Sequence, residues 1–150
     1  MITISRQLRF CAGHRLLGHE GHCAHLHGHN YTVEVSVTAA QLDDVGRVTD
    51  FREIKQRLGQ WLDENWDHAF LVHEADTALR DLLATFEPRP GERQKLYILP
   101  LNPSAEGMAQ YLLHHVAPQL FSDLSELEVV AVRVWETESC MAEARHTATK

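Results

Sequence analysis

Residues 27–39, HGHNYTVEVSVTA, decide how this chain folds. The odd-numbered positions hold two histidines, a tyrosine, three valines and an alanine, whereas the even-numbered positions are polar or glycine. Alternation with a period of two is typical of a half-buried strand, whose successive side chains point to opposite faces. The stretch therefore predicts a long strand on which His27 and His29 extend the hydrophobic face.

The chain before this stretch predicts a partner strand. Residues 2–10 alternate between apolar and polar side chains, with polar Arg6 as the one exception. This strand would deliver Cys11 to His14 at its end. A segment rich in glycine and histidine then leads into residues 27–39, so the two strands predict a hairpin-like start to the fold.

Two amphipathic helices follow from capping patterns and helical spacing. Asp50, with Glu53 three residues later, is an N-cap with an imperfect capping box and predicts a helix that reaches about Asn65. Asn102 followed by Pro103 is typical of an N-cap and a first-turn proline, and predicts a second helix. Each helix repeats apolar residues on one face.

The rest of the chain adds strands and one weaker helix. Residues 76–86 repeat leucines at helical spacing, and residues 95–99, KLYIL, predict a strand. Residues 127–137, LEVVAVRVWET, are rich in β-branched side chains and predict a closing strand. No linker or repeat divides residues 1–150. We therefore expect one α+β domain, an antiparallel sheet with helices packed on one face.

Composition limits the possible partners. The chain has 14 basic and 21 acidic side chains and a formal net charge of −7, so a basic face for nucleic acid is not expected. No apolar run approaches the roughly 18–20 residues that cross a bilayer, and the first residues lack a signal-peptide pattern, so we expect a cytoplasmic protein without membrane contact. The cysteine count is odd, and reduced thiols are expected there.

Histidines are concentrated between residues 14 and 29. On an extended chain His27 and His29 lie on the same side, about 7 Å apart at the backbone, close enough to converge on one ion. His14, at the end of the preceding strand, is the natural third ligand. Three histidines without an obligatory thiolate favour a catalytic zinc ion with one open position over a closed structural site.

Several motifs, in order along the chain, resemble one known family. They are FCAGHRL at 10–16, CAHLHGHNY at 23–31, GRVTDF at 46–51, DH at 67–68, NPSAE at 102–106 and ET at 136–137. The chain resembles the 6-pyruvoyl-tetrahydropterin synthase and 6-carboxytetrahydropterin synthase family. Three residues separate Cys23 from His27, as in the bacterial carboxy branch, whereas the animal-type enzyme has a longer insert.

The resemblance implies a tunnelling fold, in which sheets from three subunits form a barrel and two such rings stack as a homohexamer with active sites between subunits. It implies that zinc is held by His14, His27 and His29. The implied substrate is 7,8-dihydroneopterin triphosphate, converted to 6-carboxy-5,6,7,8-tetrahydropterin with loss of triphosphate and acetaldehyde, on the way to queuosine.

The resemblance also implies catalytic roles for four residues. Cys23 would be the base, and nearby zinc and a histidine would lower the pKa of its thiol. Its partner would be His68, with Asp67 beside it, reaching across from a neighbouring subunit. Glu136 would anchor the pterin, whose guanidine-like edge offers two parallel N–H donors to a carboxylate, and it has a second possible role in the proton relay.

Other interpretations stay open at the level of sequence. A cupin-like metal motif around Gly21 to Glu34 is only partial, because Glu34 has the wrong strand parity. A 6-pyruvoyl-type triphosphate elimination, or a metal-binding or pterin-binding module without turnover, would keep much of the same pattern. Gly13 stands where the family usually has alanine, residues 71–101 are a long insertion, and the spacing selects no triphosphate contact, although Arg15 lies nearby.

Overall fold

The structure is a computed structural model that describes residues 1–146. Its strands are β1 (Thr3–His14), β2 (His27–Ala39), β3 (Ala69–His73), β4 (Leu96–Leu99), β5 (Leu127–Thr137) and β6 (Cys140–Arg145). They form one sheet in the order β4-β3-β1-β2-β5-β6. The predicted hairpin of β1 and β2 is confirmed, and β6 is a strand that the sequence did not predict.

Three helices cover the sheet. Helix α1 runs through residues 51–65 as Phe51–Ile54, a π-helical segment Lys55–Gly59, and Gln60–Asn65. Helix α2 is Thr77–Ala84. Helix α3 runs through residues 105–120 as Ala105–Tyr111, a π-helical segment Leu112–Val116, and Ala117–Leu120. A short 3₁₀ turn spans His22–Ala24, between β1 and β2.

The sheet is mixed, whereas we expected an antiparallel one. The β1–β2, β2–β5 and β5–β6 pairs are antiparallel, but β3 is parallel to β1 and β4 is parallel to β3. Parallel neighbours need a crossover connection. Helix α1 lies on the path from β2 to β3 and helix α2 lies between β3 and β4, so residues 71–101 extend the sheet at one edge.

Local capping explains one helix start and corrects the other. The Asp50 carboxylate accepts a hydrogen bond from the backbone N–H of Arg52, as expected for an N-cap. The N-cap of α3, however, is Ser104, whose hydroxyl accepts from the N–H of Gly107 at 3.1 Å. The prediction of Asn102 as the cap was wrong, because its side chain instead binds the backbone of Leu17.

The core lies between the helices and one face of the sheet. Its strand positions alternate along β1 and β2 as the sequence predicted, β5 adds further buried valines, and α1 and α3 supply the opposite wall. The fully buried members include Val33, Val35, Val132, Val134, Ile54, Met108 and Leu112. This confirms the α+β class, with α1 and α3 on one face, whereas Leu79 and Leu83 of α2 pack against Val72 on the other face. Within residues 1–146, the helices are too short or too polar to cross a membrane.

Candidate metal centre and active site

The register of β1 and β2 brings the three predicted histidines together. His14 pairs with His27 and Ala12 pairs with His29 in the antiparallel ladder. His27 and His29 share a face because they are two residues apart on one strand. The donor nitrogens of His14, His27 and His29 all lie within 4.8 Å of one another, so the cluster could hold a metal ion.

Backbone carbonyls orient two of these rings. His14 Nδ1 lies 2.6 Å from the carbonyl oxygen of Pro103, and His27 Nδ1 lies 2.7 Å from that of His25. A carbonyl only accepts hydrogen bonds, so each neutral ring must carry its proton on Nδ1. The Nε2 atoms of both rings are therefore left with lone pairs, as in metal sites whose ligands are oriented by backbone partners.

The geometry of the centre fits a divalent cation. The Nε2 atoms of His14 and His27 lie 3.0 Å apart. Two nitrogens bound at about 2.0–2.1 Å to a tetrahedral zinc ion would lie about 3.3 Å apart. Two lone pairs at this distance repel each other unless a cation lies between them. Three neutral imidazoles leave a further coordination position open, which is typical of a catalytic rather than a structural site.

Burial keeps the ligands in the form that binds metal. Burial lowers the pKa of His14 to about 4, against the opposing hydrogen bond to Pro103, and the neighbouring His27 and His29 lower it further. Burial also lowers the pKa of His29, although Glu136 opposes this. A histidine must be deprotonated to bind a metal. Both rings are thus available as ligands at neutral pH.

Tyr31 packs against the rings of His14 and His29. The sequence pattern did not identify it as a site residue. Its hydroxyl oxygen lies 3.2 Å from each ring nitrogen of His14, and its side chain is 1% exposed. Burial raises the pKa of Tyr31, and the charges of Glu136 and Cys23 raise it further. The phenol is therefore neutral, and Glu136 and Cys23 both lie close enough to influence it.

A cavity of about 730 Å³ opens beside the metal ligands. Pairing of β2 with β5 ends at Thr32 and Trp135, so residues 27–31 have an open edge on that side of the sheet. His29, Tyr31 and Glu136 line the cavity. Its volume is typical of small-molecule sites, which are commonly about 300–1,000 Å³.

Asp67 and His68 form a hydrogen-bonded pair in the turn before β3. Asp67 Oδ2 accepts from His68 Nδ1 at 2.8 Å, and Asp67 Oδ1 accepts from the backbone N–H of Cys11 at 2.9 Å. His68 has a φ of 58°, in the left-handed region that residues other than glycine rarely adopt. Its side chain is 80% exposed, which leaves Nε2 accessible.

The pair lies on the sheet face opposite the histidine cluster. Cys11 and Asn30 point to that face, where the Cys11 thiol donates to Asn30 Oδ1, and His68 shares a cavity of about 500 Å³ with both. Within residues 1–146, no hydrogen bond joins His68 to Cys23. The two regions nevertheless adjoin, because Asp67 lines the cavity of about 730 Å³ with His29 and Glu136, and His27 and His29 line the cavity of about 500 Å³ with His68.

Arg15, the cationic residue nearest to the cluster in sequence, is already paired. Its guanidinium donates to both carboxylate oxygens of Asp76 at 2.6 and 2.7 Å, and the Asp76 side chain is only 2% exposed. Asp76 also caps α2 by accepting from the N–H of Leu79. Arg15 thus joins the end of β1 to the start of α2, and its contacts are structural.

These features define an α+β protein whose sheet ends in a three-histidine centre able to hold a metal ion. Residues 3–147 match the sequence model of the 6-pyruvoyl tetrahydropterin synthase family, and the chain belongs to that family. The resemblance drawn from the motifs is thereby confirmed.

Relatives with similar sequences carry a more specific name. The chain is 37% identical to the 6-carboxy-5,6,7,8-tetrahydropterin synthase of Rickettsia bellii, over 95% of this chain and 99% of the relative. It is 35% identical to the protein of the same name in Rickettsia typhi, with the same coverage. The match to the bacterial carboxy branch, which rested on the spacing of Cys23 and His27, is confirmed by these similarities.

Solved structures confirm the fold. An uncharacterized protein of Wolinella succinogenes superposes with a TM-score of 0.83 at 23% identity, over 97% of this chain and 98% of that chain. The 6-pyruvoyl tetrahydropterin synthase of Plasmodium falciparum superposes with a TM-score of 0.68 at 20% identity, over 97% of each chain. The curved mixed sheet with packed helices is the tunnelling fold of these neighbours.

Proposed function

We propose that this protein converts 7,8-dihydroneopterin triphosphate to 6-carboxy-5,6,7,8-tetrahydropterin, with release of acetaldehyde and triphosphate. The observation that carries the proposal is the convergence of the His14, His27 and His29 nitrogens within 4.8 Å of one another, at the edge of an open cavity that His29 and Glu136 both line. Bacterial relatives at 35–37% identity bear the name of this activity. The product would be a precursor of queuosine, made in the cytoplasm.

Zinc is the metal that this donor set suits best. His14, His27 and His29 would hold it through nitrogen, and oxygen-seeking ions such as magnesium favour carboxylate ligands instead. When bound, the metal would supply Lewis acidity to the hydroxyl-bearing side chain of the substrate. The Pro103 and His25 carbonyls keep the His14 and His27 rings in the orientation that this binding needs.

Glu136 would hold the pterin ring. Its carboxylate lies at the end of β5, beside the cavity and close enough to His29 to oppose the lowering of that pKa. The guanidine-like edge of a pterin presents two parallel N–H donors, which the two oxygens of one carboxylate accept. This contact would fix the side chain of the substrate against the metal ligands.

Cys23 would act as the base. It is half-buried on the turn His22–Ala24, and its backbone carbonyl accepts from the N–H of Leu16 at 2.8 Å, which ties the turn to the end of β1. The effect of Cys23 on the pKa of Tyr31 supports its placement on the cavity side of the sheet. A thiol that takes and returns protons there needs a histidine partner.

Asp67 and His68 would supply that partner to a neighbouring subunit. The exposed His68 ring is oriented by the Asp67 carboxylate, and within residues 1–146 no hydrogen bond joins it to Cys23 of the same chain. The sheet also has open edges: among the strands of residues 1–146, the outermost strands β4 and β6 each pair on one side only. Unpaired edges favour strand pairing between copies. We propose a homohexamer of two stacked three-subunit rings.

Product identification tests the proposal. Purified zinc-loaded protein is incubated with 7,8-dihydroneopterin triphosphate, and the pterin product is identified by mass spectrometry while acetaldehyde is measured enzymatically. Cys23→Ala and His27→Ala are the matched variants, and we expect both to lose turnover. A product that keeps all three side-chain carbons, with triphosphate released and no acetaldehyde formed, would favour 6-pyruvoyl-type elimination. Zinc binding without turnover in the unmodified protein would favour a binding module.

A further inference from the structure

Lys95, at the end of the loop before β4, contacts the turn that carries Asp67 and His68. Its ammonium group donates to the carbonyl oxygen of Asp67 at 2.7 Å and to that of Asp63, near the end of α1, at 2.9 Å. Its own carbonyl accepts from the N–H of Phe70 at 3.0 Å. Lys95 therefore binds the turn and its flanking residues through both its side chain and its backbone.

Of the two carbonyls that Lys95 binds, that of Asp67 directly affects the backbone conformation of His68. It belongs to the peptide unit between the two residues, and the N–H of the same peptide unit donates to the carbonyl of Cys11 at 2.7 Å. Both polar ends of this peptide are thus hydrogen-bonded, one to β1 and one to Lys95. His68 has a φ of 58°, a left-handed conformation that is unfavourable for a residue other than glycine. These two hydrogen bonds therefore help to hold the peptide in that conformation.

The charge of Lys95 also acts on the Asp67 carboxylate. Burial raises the pKa of Asp67, but hydrogen bonds from the Cys11 N–H and from His68 outweigh it, and the Lys95 charge adds to the lowering. The carboxylate therefore stays ionised and keeps accepting from His68 Nδ1. Within residues 1–146 the Lys95 ammonium forms no salt bridge with a carboxylate, so both of its hydrogen bonds go to backbone carbonyls.

We infer that Lys95 is a positioning residue for the Asp67–His68 pair, supplied by the segment 71–101. This inference rests on the proposed function, because it gives the pair a catalytic role in a neighbouring active site. The competing role is purely structural: an ammonium group at the carbonyl end of α1 also caps that helix. The two roles differ in what happens to His68 when the charge is removed.

Lys95→Met tests the inference, with Lys95→Arg as the rescue and Arg93→Met as a control that removes a cation from the same loop. We expect Lys95→Met to lower kcat about 10-fold to 100-fold, the scale of a misplaced catalytic group, with KM within about twofold of the unmodified protein. Zinc content should be unchanged. Lys95→Arg should recover most of kcat, and Arg93→Met should match the unmodified protein.

Histidine NMR gives a readout that does not depend on turnover. The His68 signals, assigned by their loss in His68→Gln, should show one Nδ1-protonated tautomer in the unmodified protein and a mixture in Lys95→Met.

A lower melting temperature with unchanged kcat and unchanged His68 signals would make Lys95 a helix cap and overturn the inference. If the unmodified protein has no turnover, the proposed function fails, while the NMR comparison still decides the role of Lys95. Should Lys95→Met not fold, Lys95→Gln is measured in the same way.

Discussion

The Nε2 atoms of His14 and His27 face each other at 3.0 Å, although the Nδ1–H of each ring donates to a backbone carbonyl. Neither atom can donate to the other while the rings are neutral, and burial keeps His14 neutral by lowering its pKa to about 4. The fold therefore holds two lone pairs together at a cost that a cation would remove. This arrangement favours a bound metal ion over a hydrogen bond between the two histidines.

His27→Ala should abolish stoichiometric zinc binding, because it removes one of three ligands. His19→Ala should bind zinc normally, since His19 is a loop residue whose Nδ1 accepts from the N–H of Gly21. In the unmodified protein, free zinc at 100 times its Kd should raise the free energy of unfolding by about 2.7 kcal/mol. Metal analysis and thermal unfolding with and without zinc measure both effects. Equal zinc content in the two variants would contradict the ligand assignment.

Gly13→Ala should destabilise the protein, because Gly13 pairs with Phe70 in the parallel β1–β3 ladder. A Cβ at Gly13 would lie 2.6 Å from Phe70 Cε1 and 2.8 Å from Cζ. Phe70 packs against the small cluster of Val72, Leu79 and Leu83, which limits its movement. Overpacking of this kind costs about 1–3 kcal/mol. Urea unfolding should show the loss.

The double variant Gly13→Ala with Phe70→Leu tests the cause of that loss. It should recover part of the stability lost by Gly13→Ala, because the smaller side chain leaves room for the added methyl group. If Phe70→Leu and Gly13→Ala are simply additive, the clash with the ring is not the reason. The close approach of Phe70 also accounts for the absence of a side chain at position 13.

The sequence predicted the site where local patterns and hairpin register were sufficient. Period-two alternation placed His27 and His29 on one face, and the order of the strands placed His14 opposite them. The pairing of β3 with β1 was not predicted, because β3 is only the five residues Ala69–His73 and its neighbour is distant in sequence. The β6 stretch, CMAEAR, lacks the β-branched residues that mark a strand.

Other features depend on backbone groups or distant partners that no motif reveals. The Pro103 carbonyl orients His14, yet a carbonyl has no signature in the sequence. Asn102 before Pro103 matches a helix cap locally, but its amide is used by Leu17, which is 85 residues away. Lys95 reaches the Asp67 turn for the same kind of reason: the contact exists only once β4 has paired with β3.

Asn102→Ala should loosen the loop that carries Cys23. The Asn102 side chain accepts from the Leu17 N–H at 2.8 Å and donates to the Leu17 carbonyl at 3.0 Å, and the adjacent Leu16 N–H binds the Cys23 carbonyl. Two lost hydrogen bonds should cost about 1–3 kcal/mol. Mass spectrometry after brief alkylation should show Cys23 labelled several-fold faster than in the unmodified protein.

Two comparisons sharpen this experiment. Cys140 is exposed and distant in sequence from the loop, so its labelling rate serves as an internal control that should not change. Asn102→Asp keeps the acceptor for the Leu17 N–H but sets a second carboxylate oxygen against the Leu17 carbonyl, so we expect labelling of Cys23 at least as fast as in Asn102→Ala. Unchanged Cys23 labelling in both variants would show that Asn102 does not control the loop.

Asp76→Ala should destabilise the protein above about pH 5 and lose that effect in acid. The variant removes a buried carboxylate bound to Arg15 and the N-cap of α2, and breaking such contacts costs about 2–4 kcal/mol. Hydrogen bonds from Arg15 are the main cause of the lowered pKa of Asp76, against the opposing effect of burial. The variant's deficit is measured by urea unfolding of metal-free protein over a range of pH.

The sign of the pH dependence follows from that lowered pKa. A carboxylate whose pKa is lower in the folded state than in the unfolded state stabilises the fold fully above its unfolded pKa, about 3.9 for aspartate. The contribution is lost as the pH falls through the folded-state pKa, so the difference between unmodified protein and Asp76→Ala should shrink only below about pH 4. Asp81→Asn, at an exposed position on α2, should show no comparable deficit at any pH. A deficit for Asp76→Ala that stays constant into strong acid would mean that the ion pair with Arg15 contributes little, and that packing and capping account for the loss.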